Sequence, residues 1–198
     1  GPDSEESSLP RFYCYYTGYL PVVLRHSLEI KRGELLSPVI NWRWPDKKNI
    51  SSLVSSLKKI GLREKEIAYA WQEAKAAWEK ERKQLMEQGE AMIASLREGQ
   101  WAVVLLGRPY NLDNNLLNQN LPEIIADYGL TVLRQEMIMG SREERGNDFI
   151  HWHYGKIIMR AARRVAADDR LFAIFVTNFR CSPDSFLLTY FRDLMERA

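Results

Sequence analysis

Three apolar runs, WAVVLLG (101–107), LTVLR (130–134) and LFAIFVTNF (171–179), are separated by stretches long enough to hold a helix and return. A strand buried on both faces reads as a continuous apolar run, and strands joined by helical crossovers lie parallel. The alternation therefore predicts βαβ units and one parallel sheet covered by helices. Two polar segments follow the outer runs, GRPYNLDNNLLNQNLPE (107–123) and NFRCSPDSF (178–186). Both loops fall on the carboxyl edge of the sheet, where open α/β sheets bind ligands. Arg108, Tyr110, Asn111 and Cys181 thus become candidates for one site.

The rest of the chain reads differently. Residues 1–11, acidic and Ser-rich at the start, are expected to be disordered or extended; 12–100 should be mostly helical, and 101–198 form the α/β part. A helical pattern runs from 22 to 32 with Gly33 as its stop, and a second is capped by Asn49 or Ser51 and ended by Gly61. A third, far longer, spans 63–97, which at 1.5 Å per residue is roughly 50 Å. Its apolar positions, among them Ile67, Trp71, Trp78, Leu85 and Ile93, mostly recur at three and four. That pattern is accounted for by packing along the domain or against a partner. Gly89 is expected to mark a bend.

Twenty-eight basic residues against 26 acidic leave a net charge of +2, too balanced for a nucleic-acid footprint. The one basic cluster, Arg160 with Arg163 and Arg164, reads as the solvated face of a helix. No stretch reaches the ~18 apolar residues of a membrane span, and GPDSEESS has no signal-peptide features. A cytoplasmic protein is expected. The two cysteines, Cys14 and Cys181, suit free thiols or metal ligands better than a disulfide framework.

Cys181 precedes Ser182-Pro183, a helix start, and orphan amides at a helix N-terminus suit a metal ligand or a nucleophile; the alternative is an inert buried thiol. Cys14 lies among aromatics able to shield a metal site. There is no CxxC pair, and His26, His151 and His153 offer no obvious partner. Arg108, held between Gly107 and Pro109, is placed to clamp a carboxylate or phosphate, or else to pair with Asp113 or Glu136. Neither GxGxxG nor GxxxxGK[ST] is present, so neither a dinucleotide fingerprint nor a P-loop is expected.

GRPYNLDNNLLNQNLPEII, NDFIHWHYGKIIMRAA and NFRCSPDSFLLTYF resemble the dehydratase-like part of large 2-hydroxyacyl-CoA dehydratase activase-related proteins, of the CoA-substrate-specific enzyme activase family. The resemblance covers about residues 12–198. It implies a Rossmann/flavodoxin-like three-layer parallel sheet with an added long helix. It also implies an iron–sulfur cluster held by cysteines from separate strand-end loops, with Cys14 and Cys181 as metal ligands. A third family cysteine would lie upstream of Gly1, so this chain alone is not expected to hold a stable cluster. Asn111 departs from the family, where many relatives carry His.

By that resemblance the chain is an electron-transfer or reductase-like module. Its partner would be an ATPase domain or subunit of the kind that activates benzoyl-CoA reductase and 2-hydroxyacyl-CoA dehydratase. The small molecule would be of acyl-CoA type, with Arg108, Tyr110 and Asn111 as ligand-binding residues. No catalytic residue is assigned, and a homodimer is plausible. Two other readings stand beside it: a docking or regulatory domain acting through the long helix, and a metal-free small-molecule-binding Rossmann-like domain.

Overall fold

The computed structural model describes residues 15–31, 33–42, 44–139, 150–178 and 181–197, which divide into two units, one within Cys14–Arg82 and one within Lys83–Ala198. The expected disordered start (1–11) and Cys14 lie outside the described residues.

In the first unit, helix α1 (Tyr15–Ser27) starts well before residue 22 and runs through Pro21. It ends before Gly33 is reached, because Glu29 takes a left-handed conformation at φ 51° and turns the chain away. Helix α2 (Asp46–Leu57) is preceded by Pro45 as its cap residue. Asn49 therefore sits inside the helix, where it is buried instead of capping. Its amide oxygen accepts from Asn41 N–H at 2.9 Å, and its nitrogen donates to the carbonyls of Asn41 (3.0 Å) and Trp44 (3.4 Å). A buried amide is tolerated when its groups are paired in this way, and the pairing ties the 41–44 loop to α2. Gly61, left-handed at φ 87°, closes the short 3₁₀ turn Lys58–Ile60 that follows α2. Helix α3 (Glu64–Ala94) then begins, and within this unit Lys75 binds Asp46 at 3.0 Å.

The second unit is mixed α/β. Strands β1 (Ala102–Gly107), β2 (Thr131–Arg134) and β3 (Leu171–Val176) form a three-stranded parallel sheet in the order β2-β1-β3. Ala102 pairs with Thr131 on one side and Leu171 on the other. All six residues of β1 are buried, as its continuous apolar run predicts. Alternate side chains feed two cores. Ala102, Val104 and Leu106 join Leu133, Ile93 of α3, Ile158 and Val165 of helix α8 (His153–Ala166) and Leu187 of helix α9 (Ser182–Glu196). Val103 and Leu105 join Leu112 of helix α4 (Pro109–Leu112) and Ile125 of helix α6 (Leu121–Asp127). On that second face, Phe172 and Ile174 of β3 remain exposed.

Two further one-turn helices, α5 (Asn115–Asn118) and α7 (Gln135–Ile138), complete the unit. α3 runs unbroken through Gly89, where a Cβ would run into the Met137 carbonyl oxygen. Its role is close approach to α7. Gly155 does the same where α8 meets α9, since a Cβ would lie 2.9 Å from Ile150 and 3.1 Å from Leu187.

Candidate functional site

From β1 the chain crosses to one neighbour and later returns on the other side, so the switch in strand order falls between the carboxyl ends of β1 and β3, the position at which open α/β sheets place ligands. The β1 end is fixed by two devices. Gly107 leaves no room for a side chain, because a Cβ would stand 2.6 Å from the Val176 carbonyl oxygen. Gln135, fully buried, accepts from Gly107 N–H at 3.0 Å and donates to Gly107 O at 2.8 Å. Its side-chain amide thus continues the sheet's hydrogen bonding for one residue.

Arg108 follows in extended conformation as the N-cap of α4, with Pro109 in the first turn. Although it carries a charge, Arg108 is only 4% exposed, and Nε donates to Asp184 Oδ1 at 2.7 Å. Asp184, in the first turn of α9, is also fully buried, and its second oxygen accepts from the Thr177 hydroxyl at 3.2 Å. The Arg108 Nη2 atom is buried without a hydrogen-bond partner. Burial works against the Arg108 charge, yet Asp184 and the neighbouring Cys181 outweigh it and raise the guanidinium above its ordinary proton affinity.

Cys181 is the N-cap residue of α9 and is half-buried, a free thiol. Its backbone N–H donates to Asn178 O at 3.0 Å, and its carbonyl accepts from Ser185 N–H at 3.0 Å and the Ser185 hydroxyl at 3.2 Å. Tyr110, 47% exposed, stands where the sulfur is felt. Its phenol is pushed up to about 12, first by burial and then by Cys181 and Asp184, with Arg108 opposing. Asn111 is buried and donates to Val176 O at 3.4 Å, which braces the α4 turn against the end of β3.

Arg108, Tyr110, Asn111 and Cys181 therefore lie together at one edge of the sheet, at the ends of β1 and β3. The partner of Arg108 is neither Asp113 nor Glu136; those carboxylates bind Arg134, at 2.5 and 3.4 Å. Asp184, Gln135 and Thr177 are the residues that sequence reasoning missed. Asp184 gives one weak signal, an acid in a helix's first turn, which reads as a complement to the helix dipole and not as the mate of an arginine 76 positions earlier. Among the described residues, no three His, Cys, Asp or Glu side chains gather as a metal-ligand set. No helix among them is long and apolar enough to cross a membrane.

Residues 2–138 match the family model described as a CoA enzyme activase uncharacterised domain. No curated protein and no solved structure matches the chain.

Proposed function

This chain belongs to the CoA enzyme activase family, and on that premise we propose that it is a Rossmann-like module working with an ATPase domain or subunit on acyl-CoA-type substrates. The family ties it to the activation of CoA-dependent enzymes; the ATPase, the acyl-CoA ligand and the strand ends as working site are our reading. One observation carries it. A buried Arg108–Asp184 pair holds a guanidinium, with one nitrogen unpartnered, beside Cys181 and Tyr110 at the carboxyl ends of adjacent parallel strands. Burying a charge is costly, so a buried arginine with a spare donor is the mark of a site that handles negative charge.

The roles divide by exposure. Tyr110 is the residue that reaches a ligand. Arg108 supplies a fixed positive charge beneath it, oriented by Asp184, and Asn111 braces the loop that carries both. A titration of the chain with an acyl-CoA, followed by calorimetry, tests this: Tyr110→Ala should weaken binding at least several-fold. Absence of binding at millimolar concentration overturns the ligand reading.

An iron–sulfur cluster would supply low-potential electrons. The two cysteines of this sequence do not fit such a cluster alone, since it takes at least three protein thiolates. Cys181 sits among Arg108, Tyr110 and Asp184, with no second thiol among the described residues. In our proposal Cys181 and Cys14 contribute two ligands to a cluster completed by thiolates of another segment or subunit. Iron and acid-labile sulfide, measured on the anaerobic assembly and on its Cys181→Ser variant, decide the matter. Equal iron in both, or none in either, removes Cys181 as a ligand.

A further inference from the structure

On α3, Trp71, Lys75, Trp78 and Arg82 recur at intervals of four, three and four, so aromatic and cationic side chains alternate along one stripe. The Trp42 indole lies across that stripe, 5.0 Å from Trp78 with the planes 20° apart and 5.7 Å from Trp71 at 30°. Trp42 is nevertheless 53% exposed and Trp78 45%. The loop that presents Trp42 is held by the buried Asn49, which bonds the backbone of Asn41 and Trp44 on either side of it. An aromatic ring kept both rigid and half in water forms a stacking surface that pays little ordering entropy on binding.

Its charge points the same way. The Arg82 guanidinium stands 5.7 Å from the Trp78 ring centroid, and the Lys48 ammonium is 3.9 Å over Trp44. Lys75 is paired with Asp46, but among the described residues neither Arg82 nor Lys48 has a carboxylate partner. A purely apolar partner would leave both cations without counter-charge, and a small inorganic anion would make no use of the indoles. A flat heteroaromatic ring carrying phosphates satisfies both.

We propose that this shelf binds an adenine nucleotide, with the base stacked on the half-exposed Trp42 indole and the phosphates drawn to Arg82 and Lys48. ATP or ADP and the adenosine end of coenzyme A share this chemistry. The site belongs to the helical unit and not to the strand-end site, so either can fail without the other.

The test titrates the full chain with ATP, ADP, coenzyme A and dephospho-coenzyme A, following tryptophan fluorescence and heat. Saturable binding is expected for at least one. Trp42→Ala should weaken it roughly ten-fold, as loss of one stacked base does, and Trp42→Phe by less. Arg82→Gln, a change at an exposed side chain, should weaken binding and flatten its salt dependence. Coenzyme A bound more tightly than its dephospho form identifies that cofactor's adenosine end; ATP or ADP bound more tightly than either identifies a free nucleotide. No saturable binding overturns the proposal, and so does Arg82→Gln binding as tightly as wild type. Circular dichroism shows whether Trp42→Ala keeps its helices; if it does not, Arg82→Gln decides alone.

Discussion

Arg108 and Asp184 show how a residue pair can be obligatory without being a net source of stability. Two buried charges lose their hydration and regain it only through each other, so removing one leaves the other uncompensated. Asp184→Ala is expected to cost about 3–5 kcal/mol in urea unfolding, whereas Arg108→Met combined with Asp184→Leu should cost far less than either single change. If the single and double variants lose equal stability, the pair is not coupled as its 2.7 Å contact implies. Arg108, Tyr110, Asn111 and Cys181 could be grouped from sequence because strand ends in a parallel sheet share an edge. The pairing could not: Asp113 and Glu136 were the partners offered, while the actual one, 76 positions away, is brought in by the β1–β3 register. Gln135 was illegible for a related reason, since an amide that substitutes for a strand carries no pattern of its own.

At the scale of elements, long helices and buried strands were legible and one-turn helices were not. β1 and β3 announce themselves by apolar runs, and α3 by its period. By contrast α5 depends on a local hydrogen bond, Asn114 Oδ1 accepting from Leu116 N–H at 3.0 Å, and α7 is a single turn directly after β2. Glycines inside helices sharpen the point, because composition reads them alike and packing separates them. Gly18 in α1 has open space around its Cβ position, so Gly18→Ala should stabilise by about 1 kcal/mol through helix propensity. Gly89→Ala gains the same propensity but drives its Cβ against the Met137 carbonyl, and a net loss on the order of 1–3 kcal/mol is expected. Thermal unfolding of the two variants should move in opposite directions. Shifts of the same sign would mean that α3 and α7 are not packed as tightly as this geometry requires.

For the whole molecule, each unit carries its own acid-sensitive ion pair, and the two can be observed separately. In the helical unit Lys75 holds the Asp46 carboxylate below its ordinary range; in the α/β unit Arg170 chiefly does the same for Asp168, at 2.9 Å. A carboxyl whose folded-state pKa is depressed binds protons more readily when unfolded. Its contribution is therefore fully present above the unfolded value, near 3.8 here, and is lost as pH falls through the lower folded value. Asp46→Asn should reduce the acid sensitivity of the helical unit and leave that of the α/β unit in place, with Asp168→Asn doing the reverse. The tryptophans make this measurable: Trp42, Trp44, Trp71 and Trp78 lie in the first unit, Trp101 and Trp152 in the second. Acid titration between about pH 5 and pH 2, followed by fluorescence of variants retaining only one set, should show each substitution shifting only the transition of its own unit. One shared transition, moved equally by both substitutions, would instead mean that α3 couples the two units into a single cooperative structure.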